Sequence, residues 1–399
     1  MICGGGNAGH ALAVAASSGF DGHIDWLVGS EERADLLRSG AAKAGVQATG
    51  AVTGRAERLR TISSDPSELI PNADIVMVVV PAFVHAVVLA RIEPYVGEGL
   101  AVGILPTRGG VEFEASNLLR GTRGTFFGLQ TLPWSARVVT PGEAVHIGAL
   151  KASVVFAALP AGDQPELARR LTTMLGTRFV PAEGFLTLTL GNPGQFIHPG
   201  LMYGHYRSWQ GEEYGDDTIP MFYAGATDEM GEIVATLSRE AIEVAHAIDR
   251  ERPGAVDLRS VVPVHDWLRS SYAHVTADMS TVATCFRTGP IQARKAPVTE
   301  IAPGRFVPNF DYRYLTEDVP YGLVITRGLA ELAGVPTPTI DEVIEWAQAA
   351  MGRSYLVGGT LSGADAKDVP IPQNYGISEL AALFEWYDEA SAPSTRLVN

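Results

Sequence analysis

The stretch ICGGGNAGHALA, residues 2–13, opens the chain and decides its first domain. Gly4, Gly6 and Gly9 fit the spacing G-x-G-x-x-G, whose glycines allow a tight turn, close approach to a pyrophosphate and close packing of a helix on a strand. The pattern alone is weak, because glycine-rich turns are common. Its context strengthens it, since residues 10–18 are typical of a helix and strand-length runs recur downstream. The stretch therefore predicts a strand, a turn and a helix that bind a dinucleotide.

The first half of the chain alternates β-branched runs with helix-length segments, which is the rhythm of a parallel sheet. The apolar run at 73–80 is typical of a strand covered on both faces. Only Met1, Ile2 and Cys3 precede Gly4, so we expect a first strand shorter than its neighbours, or a native start a few residues upstream. The other predicted elements are strands at 23–29, 99–106 and 124–132, a helix at 30–40 capped by Ser30, two short strands within 50–63 that form a hairpin-like excursion, and an antiparallel pair at 145–150 and 153–159.

After about residue 184 the helical pattern dominates, with predicted helices at 228–249, 264–275 and 339–352. The fold class is therefore α/β: an N-terminal Rossmann-type doubly wound domain over 1–183, followed by an all-helical domain over 184–399. Such a pair of domains is expected to leave a cleft in which a substrate meets a cofactor.

The composition narrows the classes of partner. The chain of 399 residues carries a net charge of −15, which argues against nucleic acid and anionic membranes. No segment reaches the roughly 20 apolar residues of a membrane helix, and no secretory signal is evident. Cys3 and Cys285 lie far apart, which suggests neither a disulfide framework nor a thiolate metal site. We expect a cytoplasmic monomer or homodimer.

A second cluster of chemically active residues lies at 191–209, GNPGQFIHPGLMYGHYRSW. Asn192, His198 and Tyr203 are candidate substrate or catalytic residues there, and imidazole is the natural acid or base near neutral pH. Pro199 and Gly200 are expected to hold His198 on a rigid turn. The histidines lack metal-ligand spacing, so no metal is predicted. Nearer the C-terminus, the stretch FDYRYLTEDVPYGL (310–323) places acidic residues before a proline turn.

Together, CGGGNAGHALA, NPGQFIHPGLMYG and RYLTEDVPYGLV resemble the opine dehydrogenase family of the octopine/nopaline type, over nearly the whole chain. The resemblance implies reductive condensation of an amino acid with an α-keto acid, commonly pyruvate, using NADH or NADPH. It also implies that His198 is catalytic, that Asp318 pairs with it, and that Arg313 reaches the cofactor pyrophosphate. Trp267 and the loop from Thr131 to Arg137 match positions that line the amino-acid site.

The cofactor-binding residues extend beyond the three glycines to Asn7 in the turn and Pro81 after the apolar strand. A site for NAD normally has Asp or Glu at the end of the second strand. Here Gly29 and Ser30 stand there, with Arg33 close behind. Ser30 and Arg33 would suit a 2′-phosphate, which favours NADPH slightly; Glu31 and Glu32 keep NADH open.

Two other functions remain open at this stage. One is a dehydrogenase that acts on a 2-hydroxy or 2-keto acid without an amine. The other is a nucleotide-sensing protein without turnover, which would need neither His198 nor Asp318.

Overall fold

The computed structural model describes residues 1–19, 21–116, 118, 124–290 and 292–391, and the chain divides into two compact units. The second unit spans 189–383; the first holds the residues before it and is rejoined at Phe384 by the described part of the C-terminal helix. This return differs from the predicted single domain over 184–399. It occurs because Trp386 and Tyr387 pack against Phe113 of the first unit. In the described part of the chain, no helix is long and apolar enough to cross a membrane.

The first unit is built on a large sheet with the strand order β12-β11-β8-β7-β6-β1-β2-β5 and a smaller one with the order β4-β3-β10-β9. The strands are β1 (Ile2–Cys3), β2 (Ile24–Leu27), β3 (Gln47–Gly50), β4 (Gly54–Arg55), β5 (Leu59–Ser63), β6 (Ile75–Val78), β7 (Ala101–Ile104), β8 (Thr125–Leu129), β9 (Trp134–Thr140), β10 (Ala144–Leu150), β11 (Ser153–Leu159) and β12 (Arg178–Pro181).

Six neighbouring strands of the large sheet are parallel to one another, in the order β5, β2, β1, β6, β7 and β8. Strand β11 is antiparallel to β8, and β12 is parallel to β11. The order of connection reverses between β1 and β6, which is where open α/β sheets bind ligands. Strand β1 has two residues against four in each neighbour, as predicted. The glycine turn follows β1 at this switch point.

Helices cover both faces of the large sheet. In β6, Ile75 and Met77 contribute to one apolar core, and Val76 and Val78 contribute to the other. This confirms the prediction of a strand covered on both faces. The helices of the first unit include α1 (Asn7–Gly19), α2 (Glu31–Ala44), α3 (Pro66–Leu69), α4 (His85–Ile92), α5 (Val111–Glu114) and α6 (Gln164–Leu175).

Two predicted strand pairings are wrong. Strand β10 pairs with β9 and β3, whereas β11 pairs with β8 and β12, so these two predicted partners lie in different sheets. Within 50–63, β4 joins the small sheet and β5 forms an edge of the large one. The burial of Val154, Phe156 and Ala158 explains the first error, because so apolar a strand belongs inside a sheet that is covered on both faces.

The second unit is helical and also contains a hairpin of β13 (Val298–Ala302) and β14 (Arg305–Pro308), which the sequence analysis did not predict. The hairpin strands are short, and of their residues only Pro308 is buried, so they lack the apolar run of a core strand. The helices are α7 (Leu186–Leu190), which crosses from the first unit, then α8 (Gly194–Tyr206), α9 (Asp228–Glu251), α10 (Val264–Tyr272), α11 (Val282–Thr288), α12 (Arg313–Thr316), a π-helical turn (Val319–Leu323), α13 (Val324–Ala333), α14 (Pro338–Met351) and α15 (Leu380–Ser391), which returns to the first unit.

Candidate active site

The glycines of the turn between β1 and α1 have different roles. Gly4 has φ +131°, a conformation that residues with a side chain rarely adopt, and a Cβ at Gly9 would overlap the carbonyl oxygen of Gly4. These two glycines are required by the turn itself. A Cβ at Gly6 would meet nothing within 4 Å, so the backbone is open at the N-terminus of α1. Helix N-termini bind phosphate groups through their free N–H groups, and this open backbone fits a dinucleotide.

Side chains around the turn hold it in place. Trp26 Nε1 donates to the carbonyl oxygen of Gly4 at 2.9 Å, and Asn7 Oδ1 accepts from the N–H of Val138 at 2.8 Å. His10 is fully buried, with Nδ1 2.8 Å from the Gly6 carbonyl oxygen, and burial lowers its pKa. Asn7 therefore connects the predicted cofactor turn to β9.

At the end of β2, Gly29 and Ser30 precede α2. Ser30 caps α2 by accepting from the N–H of Arg33, and Nη2 of Arg33 donates to the carbonyl oxygen of Gly5 at 2.6 Å. Glu31 is bound by Arg38 and by the hydroxyl of Ser64. The cationic group at the glycine turn is therefore Arg33.

Pro81 follows the carboxyl end of β6, where its exposed ring precedes a turn of 3₁₀ helix. Thr131 lies just after β8 and is partly buried. Arg137 is exposed on β9, so the predicted loop from Thr131 to Arg137 is shorter than expected and ends at Trp134. Exposed residues alternate with buried or half-buried ones along β9, which suits a strand with one covered face and explains the difference.

His198 lies inside α8 and not on the predicted rigid turn. Pro199 stands within the helix, where its ring removes one backbone donor to residue 195. The helix is kept nonetheless because Phe196, Leu201 and Met202 are buried in the core of the second unit. The side chain of His198 is 23% exposed, which leaves its ring accessible.

Asp318 accepts a hydrogen bond from His198, as the family resemblance implies. The distance from His198 Nδ1 to Asp318 Oδ2 is 2.8 Å, although 120 positions separate the residues. Asp318 lies between α12 and the π-helical turn, and its side chain is 2% exposed. A buried carboxylate on Nδ1 fixes the ring orientation and leaves Nε2 for a substrate.

The residue before Asp318 forms a second buried contact. Glu317, 2% exposed, is ion-paired with Arg313 at 2.6 Å within one helical turn. Arg313 itself is about half exposed, so its guanidinium group is held in place but accessible. The two consecutive acids thus position one histidine and one arginine.

An aromatic platform completes the surroundings of His198. The ring of Tyr314 stacks on it with centroids 4.0 Å apart and planes at 13°. Tyr314 is 5% exposed, and its hydroxyl is hydrogen-bonded to that of Tyr223. The guanidinium carbon of Arg294 lies 5.4 Å from the centre of the Tyr314 ring. Tyr314 stands in the quoted motif at 310–323, but no pattern in the sequence indicates the stacking.

The remaining predicted substrate residues have other contacts. Asn192 accepts from the N–H of Gly194 at 2.9 Å and so helps to begin α8. Tyr203 donates to Glu342 at 2.5 Å and packs edge-on against Trp346. Trp267 lies on α10, partly buried in the core of the second unit. The structure brings His198 and Asp318 together.

Comparison with known protein families gives a match at residues 181–351 to the family described as NAD/NADP octopine/nopaline dehydrogenase, alpha-helical domain. Among curated proteins, the opine dehydrogenase of Haliotis discus hannai is 32% identical, over 96% of this chain and 97% of the relative. The tauropine dehydrogenase of Arabella iricolor is also 32% identical, over 96% and 98%.

Solved structures agree with these relatives. An octopine dehydrogenase in complex with NADH and L-arginine is 28% identical and covers 96% of each chain, with a TM-score of 0.84. An octopine dehydrogenase structure with NADH and pyruvate has a TM-score of 0.82 at the same identity and coverage. The similarity therefore extends through both units.

Proposed function

This chain belongs to the opine dehydrogenase family, and from that premise we propose that His198 is the general acid of its reaction. The protein is an NAD(P)-dependent oxidoreductase that reductively condenses an amino acid with an α-keto acid. The observation that carries the assignment of His198 is its 2.8 Å hydrogen bond to the buried Asp318. Pyruvate is the proposed keto acid, because a related octopine dehydrogenase is solved with it.

The proposed chemistry uses the free side of the His198 ring. The substrate amine adds to the keto carbonyl, water leaves, and a C=N bond forms. A bound nicotinamide cofactor supplies the hydride that reduces this bond. In its protonated form, His198 donates a proton from Nε2 to the carbonyl oxygen as the amine adds, so that this oxygen can leave as water. Asp318 stabilises that cation and keeps Nδ1 as a donor.

The proposed cofactor site lies at the turn of Gly4, Gly6 and Gly9. The open backbone at Gly6 supports it, since a pyrophosphate needs close approach to the N–H groups of α1. Asn7 and Pro81 belong to the same proposed site, at the ends of β1 and β6. Arg313 remains a proposed pyrophosphate ligand.

We propose a preference for NADPH over NADH. Its support is that Arg33 stands at the glycine turn while Glu31 is already bound by Arg38 and Ser64. A guanidinium group binds a 2′-phosphate by charge-assisted hydrogen bonds. We expect Arg33→Gln to lower kcat/KM for NADPH by about tenfold or more and to change the value for NADH much less. A wild-type kcat/KM at least tenfold better with NADH would contradict the preference.

The substrates are tested by a matrix of assays. Pyruvate and 2-oxoglutarate are combined with the common amino acids, and oxidation of NADH and NADPH is followed in each mixture. We expect turnover that requires both an amino acid and a keto acid, with the secondary amine product identified by mass spectrometry. Turnover with a keto acid alone would favour a 2-hydroxy acid dehydrogenase. Dinucleotide binding without turnover in any mixture would favour a sensing protein.

A further inference from the structure

Arg294 lies beside the aromatic platform of His198 and is rigidly held. Its carbonyl oxygen accepts from the N–H of Phe222 at 2.7 Å, and the N–H of Ala296 donates to the carbonyl oxygen of Pro220 at 2.8 Å. These backbone bonds fix the segment on both sides of the arginine. Nη2 of Arg294 donates to the hydroxyl of Tyr312 at 2.9 Å. Both ends of the side chain are therefore positioned before any substrate binds.

The guanidinium group of Arg294 has no acidic partner among the residues that the structure describes. Its contacts are a neutral phenol and the ring of Tyr314. Other arginines of the second unit differ: Arg207 and Arg305, for example, each form an ion pair with a glutamate. A half-buried cation without a counter-ion is costly unless an anion binds to it.

The position of Arg294 fits an anion that also reaches His198. The two residues contact the same Tyr314 ring, so the Arg294 guanidinium carbon and the His198 ring centre are separated by no more than the sum of 4.0 and 5.4 Å. Both substrates of the reaction carry a carboxylate next to the reacting carbon or nitrogen. With one end at Nε2 of His198, such a molecule is long enough to place its carboxylate on a guanidinium group in that range.

We propose that Arg294 binds a substrate carboxylate and so determines that the enzyme takes amino acids or keto acids and not analogues that lack the carboxylate. The inference rests on the proposed function of His198. The shared chemistry is a carboxylate next to the reacting centre, and its two possible sources are the amino acid and pyruvate. Arg294 acts on binding, whereas His198 acts on proton transfer.

The test compares Arg294→Gln with the wild type on the preferred amino acid and on pyruvate. The amine that lacks only the carboxylate, such as agmatine for arginine or ethylamine for alanine, serves as a competitive inhibitor. Loss of a charged hydrogen bond is expected to raise KM for one carboxylate substrate by about tenfold to a hundredfold. The inhibition constant of the amine and kcat should change less than about threefold.

The two arms identify the source of the carboxylate. A raised KM for the amino acid assigns its α-carboxylate, and a raised KM for pyruvate assigns the keto acid. Arg294→Lys should recover part of the loss, since it keeps the charge, and Arg305→Gln should change neither KM. Unchanged KM values, or an equal loss of affinity for the amino acid and its amine, would overturn the inference. If the variant still turns over in that case, the proposed function stands.

Discussion

His198 and Asp318 form a pair whose members should contribute unequally. His198→Ala removes the proposed acid, so we expect kcat to fall by about 10²–10⁴-fold while the affinity for the dinucleotide is unchanged. Asp318→Asn should cost less, because the imidazole remains and only its orientation and charge are weakened. Steady-state kinetics and a fluorescence titration with NADPH measure the two effects.

His246→Ala is a suitable control, because His246 is exposed in the same unit. It should leave kcat unchanged. Equal losses in Asp318→Asn and His198→Ala would mean that the carboxylate is more than a positioning group. Near-normal kcat in His198→Ala would remove the histidine from the mechanism.

The identity of single site residues could be predicted, but their contacts could not. The resemblance of the motifs around His198 and Asp318 to the opine dehydrogenase family predicted the pair, whereas the residues alone did not connect the two stretches. Pro199 misled the local prediction, because proline usually ends a helix, whereas packing of the apolar face of α8 preserves this one. The stacking of Tyr314 and the isolation of Arg294 depend on tertiary contacts that no spacing reveals.

At the scale of elements, His198 lies on α8 and Asp318 lies directly before the π-helical turn. Gly322 allows these two elements to approach each other. A Cβ at Gly322 would lie 2.5 Å from the Cβ of Gln195, one helical turn before His198. We expect Gly322→Ala to push the two elements apart, lowering the free energy of unfolding by about 1–3 kcal/mol. The longer distance from His198 to Asp318 should also lower kcat. Thermal unfolding and kcat are measured on the same preparation.

Gly215→Ala provides the comparison, since a Cβ there would meet only the Thr218 hydroxyl at 3.8 Å. Little change in either quantity is expected for it. If Gly322→Ala keeps wild-type stability and kcat, the close approach of α8 to the π-helical turn does not control the pair.

Helices with a strong hydrophobic periodicity and strands with a fully apolar run were predictable from the sequence, whereas the pairing of the strands was not. Helix α9 has a continuous apolar face, and β6 has apolar residues on both faces, so local sequence determines each. The partners of β10 and β11 depend on which sheet buries each strand, which is a property of the whole unit.

At the scale of the whole molecule, the return of α15 could not be read from the chain. The helix has an ordinary apolar pattern, and its destination depends on the pocket around Phe113. The carboxylate of Glu112, on α5, is fully buried there, and its Oε1 accepts from the hydroxyl of Tyr387 at 2.7 Å. This burial gives the molecule a dependence on pH.

Burial raises the pKa of Glu112 from 4.5 to about 7, and burial together with the charge of Glu112 raises the pKa of Glu114 to about 8. The folded state therefore retains protons that the unfolded chain releases above pH 4.5. The contribution of these two carboxyl groups to the stability of the fold is fully present below that pH and is lost as pH rises through 7 and 8. For Glu112 alone, the free energy of unfolding falls by about 3 kcal/mol.

Glu112→Gln removes the charge but keeps a group that can accept from Tyr387. We expect its melting temperature to fall less between pH 6 and pH 8.5 than that of the wild type, and the exposed Glu57→Gln to behave as the wild type. The difference should be largest at the alkaline end, where the wild-type carboxyl must ionise inside the core. Parallel melting curves for Glu112→Gln and the wild type across this range would show that ionisation of Glu112 does not limit the stability of the fold.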